Sequence, residues 1–385
     1  MKIRSFSAAN AAELCAQLGG VRCDFISVHT NCALDLAPLR AHAEGLAGAF
    51  HGASSCLGAM TDAGITEGIA AFTLEDPEGQ YATEIRAFDG DPRAMSAAAV
   101  QAALAKIDRV GETPDLVWLS ATPGAEEAVL EGLQSVLGAD VPIIGGSAAD
   151  NAVAGGWFVF DGARTEQEGL AVTVMFPSTQ ISFAYHNGYS PEGARGVVTK
   201  ASGRVLHEID GRPAMTVYSE WTQGAVRYAE PEGGAQAILS DSTLWPLGRE
   251  MSQVGGVPFY LLAHPATAHA NGDIDLFANV ETGETLTLMT GTIEGLAERA
   301  GRVAALARKL RSSDAPPVAG ALMIYCGGCM LTVREELGRV VSGVNQALGG
   351  APFLGAFTFG EQGALVGAGN RHGNLMISCI IFSDG

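Results

Sequence analysis

Short apolar runs of strand length recur at residues 24–29, 115–120 and 320–326, each ending at a polar loop. Behind each comes a stretch with apolar residues three or four apart, at 34–50, 125–137 and 332–348, which predicts a helix. A second strand then leads into a glycine-bearing turn: His51-Gly52-Ala53-Ser54-Ser55-Cys56, Ile144-Gly145-Gly146-Ser147, and Leu354-Gly355-Ala356-Phe357. The three units share one theme of strand, loop, helix, strand, and such a crossover makes its two strands parallel and right-handed. The glycines are read as allowing positive φ or close backbone approach. Alternating strands follow each unit, at 68–88, 156–185 and 364–382, with turns expected at 76–79, at Asp161-Gly162 and at 370–373.

This pattern predicts an α/β fold of internally repeated strand-helix-strand units with mixed sheets and β-hairpins, in a two-part architecture. Residues 188–292 hold no complete copy of the unit. A helix is expected over 293–311, and the Ser- and Pro-rich stretch 312–317 reads as a linker.

The chain has 385 residues, 47% hydrophobic and 17% charged, which suits large buried elements rather than disorder. Its 42 acidic and 23 basic residues give a formal charge of -19, which repels nucleic acid and anionic membrane surfaces on average. No apolar run approaches the roughly 20 residues of a membrane helix. The first residues do not read as an export signal, so the cytoplasm is the expected compartment. Seven cysteines are then thiols or metal ligands rather than a disulfide framework.

Ligands collect outside the carboxyl ends of parallel strands in α/β sheets, which directs attention to the loops. His29-Thr30-Asn31-Cys32 and Cys326-Gly327-Gly328-Cys329 occupy equivalent loops of units one and three. With Cys56 they suggest a soft-metal site, in which Cys32, Cys326 and Cys329, joined by Cys56 or His29, hold copper or zinc. Ser147, Asp150, Asn151 and Glu361 are the expected ligand-binding groups; the alternative for the two carboxylates is capping a helix or closing a turn. Cys15, Cys23 and Cys379 are expected in the core. His51 ranks next to His29 as a candidate ligand. His264 and His269 are assigned surface or turn roles, and His42, His186, His207 and His372 hydrogen-bonded or capping ones. A thiol enzyme using Cys326 or Cys329, activated by His29 or a helix start, is the rival reading. No nucleophile elbow, P-loop or dinucleotide fingerprint is present.

Gly145-Gly146-Ser147-Ala148-Ala149-Asp150-Asn151, Val198-Thr199-Lys200-Ala201, Glu208-Ile209-Asp210-Gly211-Arg212-Pro213-Ala214 with Tyr218, Pro352-Phe353-Leu354-Gly355 and Phe359-Gly360-Glu361 together resemble the FIST domain. The likeness covers nearly the whole chain, with 1–190 as the N-terminal part and 191–385 as the C-terminal part. It implies an intracellular sensory module binding a small ligand, with a haem-based gas sensor as an alternative, and a separate histidine kinase or cyclic-di-GMP enzyme as partner. One departure stands out. Where the family commonly has Cys-x-Gly-Arg, this chain has Cys326-Gly327-Gly328-Cys329, which removes a guanidinium fork suited to carboxylates and favours a soft-metal or redox role. Arg334, a helical turn or so further on, is the candidate substitute.

Overall fold

Each predicted unit forms, and each is the centre of a longer repeat. The computed structural model describes residues 1–229, 234–312 and 314–384; Ser313 of the expected linker lies outside the described residues. Strands Cys23–Thr30 and Ala47–Ser54 are parallel, as are Leu116–Ala121 with Ile143–Ser147, and Val318–Cys326 with Phe353–Thr358. A strand and a helix open each repeat; of these the sequence reading expected the helix over 293–311 and strand within 68–88 and 156–185, but not their place at the head of a repeat. These are Lys2–Ala8 with Ala11–Leu18, Gln80–Ala87 with Pro92–Lys106, and Ile181–His186 with Ile293–Lys309. Each opening strand pairs antiparallel with the last strand of its own repeat, Ile69–Glu75, Gly169–Phe176 or Ile377–Ser383. That pairing spans most of a repeat, so no local period announces it.

The hairpins between second and last strands are exchanged. Ala59–Thr61 and Gly64–Thr66 from repeat one join the sheet of repeat three beside Phe353–Thr358. Val159–Phe160 and Thr165–Glu166 from repeat two join repeat one beside Ala47–Ser54. Glu361–Leu365 and Gly369–Gly373 from repeat three join repeat two beside Ile143–Ser147. The result is a closed ring of three six-stranded sheets. Two of the turn glycines serve this exchange by close approach rather than positive φ. A Cβ at Gly52 would lie 2.6 Å from the Phe160 ring, and one at Gly355 would lie 2.4 Å from Met60, both side chains of a docked hairpin.

Several local expectations are corrected. The first helix is only Ala37–His42, because the strand already starts at Ala47. The third helix breaks at Val333 into Gly327–Thr332, a 3₁₀ turn, and Leu337–Leu348. Residues 370–373 are strand; the hairpin turns instead at 366–368, with positive φ at Gly367 inside the turn and at Gly369 just after it. Ile69–Glu75 and Gln80–Ala87 do not pair with each other but enter different sheets.

The inner faces of the three sheets share one apolar core that includes Phe25, Phe72, Trp118, Met175, Ile324, Leu354 and Phe382. Helices cover the outer faces through Leu14 and Leu18, Val100 and Leu104, and Val303 and Val340. Among the described residues, strands from Ser190–Ser202 to Thr285–Thr290 form a nine-stranded antiparallel sheet with its own core around Leu206, Ile209, Tyr218, Ile274 and Leu288, inserted between the opening strand and helix of repeat three.

Candidate functional site

Strands Val318–Cys326 and Phe353–Thr358 end side by side, with Cys326 opposite Thr358. Against this end the inserted sheet places Leu239, Ser240, Thr243, His264 and Phe277. Between them lies a pocket of about 330 Å³, completed by Cys326, Gly328, Leu331, Thr332, Phe359, Asn374 and Val153. It lies at the carboxyl ends of the parallel strands of repeat three, where α/β sheets gather ligands. Val153 and Leu331, 43% and 46% exposed, give it an apolar rim.

His264 is the polar group that sequence reasoning assigned to a turn. It is instead buried at the end of the apolar strand Val257–Ala263 and lines the pocket. An apolar run ending in a histidine was the available signal. Its Nε2 faces the Leu239 carbonyl at 3.1 Å and the Thr243 hydroxyl at 3.3 Å. A carbonyl only accepts, so Nε2 carries the proton and Nδ1 keeps a lone pair. Among the described residues nothing bonds to Nδ1, and the adjacent Cε1 lies 3.6 Å from where a Cβ on Gly328 would be. Burial lowers the pKa of His264 to about 4, so the ring is neutral at neutral pH.

The expected ligand-binding residues lie around the pocket but serve other partners. Asp150 accepts the backbone N–H groups of Ala152, Val153, Ala154 and Gly156 at 2.5 to 3.0 Å, fixing the loop that carries Val153. Burial alone would raise its pKa; these donors outweigh burial and hold the carboxyl below its usual range. Asn151 accepts the Leu57 N–H at 2.9 Å and donates to Asn31 at 2.8 Å, tying three loops together. Glu361 is fully buried; its carboxyl accepts from the Thr358 hydroxyl and the Met376 N–H, both at 2.9 Å. Burial first, then the neighbouring Cys326, push the Glu361 carboxyl well above its ordinary value, against the Met376 and Thr358 donors that pull it down. Ser147 donates to Glu126 at 2.8 Å. Glu126 and Glu127 share Arg204 of the inserted sheet at 2.6 and 2.7 Å.

The metal expectation is not carried by this geometry. Among the described residues the one group of three or more potential ligands within 4.8 Å is Glu126, Glu127 and His372, whose two carboxylates already have Arg204 as counterion. Cys56 lies near Cys326, Cys32 and Asp150, and burial, followed by these neighbours, pushes its thiol up to about 12. Cys329 is buried, with Tyr189 Oη 3.5 Å from its Sγ. His29 is in the core with its ring 6.2 Å from Trp118, because strand alternation turns it to the inner face; burial lowers its pKa to about 3. His51 lies in the same core, between Thr173 and Ser120. Neither can activate a thiol at the pocket, and burial raises Cys326 well above the ordinary thiol value. At about 330 Å³ the pocket is at the small end of the ~300–1,000 Å³ typical of small-molecule sites.

Among the described residues no helix is long and apolar enough to cross a membrane. The FIST N domain matches residues 25–212 and the FIST C domain residues 214–364, so their junction falls inside the inserted sheet domain. An uncharacterized protein of Methanocaldococcus jannaschii is 33% identical over 98 residues, 25% of this chain and 18% of that protein. An uncharacterized protein of Mycobacterium tuberculosis is 27% identical over 254 residues, 64% of this chain and 63% of that protein. The chain thus spans less than two thirds of the length of these relatives. The crystal structure of a cyanuric acid hydrolase from A. caulinodans aligns over 99% of this chain and 98% of its own, at 11% identity and a TM-score of 0.36. FIST domains are regarded as sensory, ligand-binding domains of signal transduction, and with two of them spanning most of its length the chain belongs to the FIST family.

Proposed function

We propose that the chain is a cytoplasmic sensory module that takes a small, uncharged, largely apolar molecule into the pocket between the third repeat and the inserted sheet. One observation carries this: the pocket is walled from both bodies and has no ionised group among its lining residues. Its thiol and its imidazole are both kept neutral by burial. An anionic or zwitterionic ligand would be desolvated there without a counterion, whereas an apolar molecule with one N–H or O–H would meet Nδ1 of His264. Because the ligand touches both bodies, binding favours one relative placement of the two, which supplies a signal. A histidine kinase or a cyclic-di-GMP enzyme is the class of partner that the family resemblance implies. Seven free thiols suit a reducing compartment.

A thermal-shift screen of molecules with fewer than about 15 non-hydrogen atoms tests this reading, since a ligand at 100 times its Kd stabilises by about 2.7 kcal/mol. Uncharged donors should raise the melting temperature of the native protein and lose that effect in His264→Phe. Stabilisation by anions alone, or by donors equally in the variant, would refute it.

A further inference from the structure

In the inserted sheet, strand Ser190–Ser202 turns into strand Val205–Ile209 through the two residues Gly203 and Arg204. Gly203 has φ +59, the left-handed backbone that so tight a hairpin turn asks of its first residue. Ala201 pairs with Leu206 but Lys200 pairs with Glu208, so His207 is the extra residue of a β-bulge. Bulges re-aim side chains. Here the imidazole reaches back over the turn to Ser202, with Nε2 2.8 Å from Oγ.

The other ring nitrogen of His207, Nδ1, lies 3.0 Å from Asp273 Oδ2. Strand Ile274–Leu276 puts the carboxylate there, because Ile274 pairs with Leu206 and Asp275 with Val205. Asn271 fixes Asp273 in turn: its Nδ2 donates to Oδ2 at 2.8 Å, and its Oδ1 accepts the Asp273 N–H at 3.1 Å. Burial opposes the charge on Asp273, but the hydrogen bonds from His207 and Asn271 outweigh it and hold the carboxyl below its ordinary value. A carboxylate only accepts, so Nδ1 carries the proton and Nε2 offers its lone pair to the Ser202 hydroxyl. Hydroxyl, base and orienting carboxylate thus stand within hydrogen-bond reach in the sequence that activates a serine. Ser202 is exposed, and the side chains of His207 and Asp273 are 22% and 18% exposed. Among the described residues, the N–H groups of Gly203 and Arg204, next along the chain from Ser202, make no hydrogen bond.

We propose that this corner of the inserted sheet is an acyl-transfer site for short, uncharged carboxylic esters, with Ser202 as nucleophile, His207 as general base and Asp273 as its positioning residue. Ser202 Oγ attacks the ester carbonyl carbon as His207 Nε2 takes the hydroxyl proton, and the oxyanion meets the free Gly203 N–H. The bond from that carbon to the alkoxy oxygen breaks, and His207 gives its proton to the departing alcohol. Water then attacks the acyl-Ser202 ester with the same base, releasing a carboxylic acid and restoring the serine. Ester and water become acid and alcohol. Because Ser202 is exposed, little of an acyl chain would be buried, which favours short ones. Asp273, Asp275 and the formal charge of -19 disfavour anionic esters. None of the three residues lines the pocket beside His264, so this site stands apart from the sensory reading.

The test treats the native protein with p-nitrophenyl acetate, following p-nitrophenolate release and, after acid quenching, locating the acetyl group by peptide mass spectrometry. Acetyl should appear on Ser202 and turn over. Ser202→Ala, at an exposed position, should keep the native circular dichroism spectrum and lose both the acetyl-peptide and most of the release. His207→Gln should slow acetylation of Ser202 about 100-fold, the lower end of the ~10²–10⁴ that a general base contributes. Asp273→Asn can still contact Asn271 but no longer fixes the tautomer of the ring, and should lower kcat several-fold at unchanged KM. Acetyl found on cysteines or lysines while Ser202 stays free, or release at the native rate from folded Ser202→Ala, would overturn the proposal. An unchanged kcat in Asp273→Asn would overturn the positioning role of the carboxylate.

Discussion

His264 and Gly328 set the chemistry of the pocket between them, one by a bare lone pair and the other by the side chain it lacks. A histidine whose folded pKa is lowered from 6.5 to about 4 contributes stability that is present above the unfolded value. That contribution is lost as pH falls through 6.5 toward about 4. Binding of an uncharged donor should therefore be flat through the neutral range and fall only as pH approaches about 4, as read by calorimetric titration; a midpoint near 6.5 would contradict the lowering of the His264 pKa by burial. Glu361 behaves in the opposite sense. Its folded pKa is raised above 4.5, so its contribution is present below that value and is lost as pH rises through the folded pKa. Glu361→Gln should therefore gain stability over the native protein on the alkaline side, seen as a shallower decline of melting temperature with pH. In Gly328→Ala the added methyl would lie 3.5 to 3.6 Å from Leu375, Cys326 and His264, which is ordinary contact. Folding stability should change by no more than about 0.5 kcal/mol, while affinity for the uncharged donor drops several-fold by calorimetry.

At the scale of elements, the parallel strand pairs were legible because a short apolar run, a helical period and a glycine turn recur in order. What was not legible is equally instructive. The opening strand Lys2–Ala8 pairs with Ile69–Glu75 across the whole of the intervening repeat, and the exchanged hairpins pair with a different repeat. Neither relation leaves a local pattern. Asp150, expected at the strand ends as a ligand group or a turn closer, accepts four backbone N–H groups of the loop that follows it. Asp150→Ala should cost about 2 kcal/mol, given the ~1.5–3 kcal/mol of hydrogen bonds to charged groups. It should also speed amide exchange across residues 151–156, measured by hydrogen–deuterium exchange. His29 shows the limit of loop spacing: one step of strand alternation separates a loop ligand from a core side chain.

In the whole molecule, a ring of three sheets carries the inserted domain as a lid over one set of strand ends. Arg204 links that domain to Glu126, which is 2% exposed, and to Glu127. Arg204→Ala would leave a buried carboxylate without its counterion and should destabilise by about 3 kcal/mol, measured from the urea midpoint. The Arg204→Met, Glu126→Gln double variant should recover much of that loss. The central claim is that the cavity between His264 and Cys326 is a recognition site for an uncharged donor. It is tested most directly by a crystal structure of the protein soaked in phenol. The account predicts phenol in that cavity with its hydroxyl about 3 Å from His264 Nδ1. A cavity left empty at saturating phenol, or phenol bound there with its oxygen turned away from His264, would contradict it.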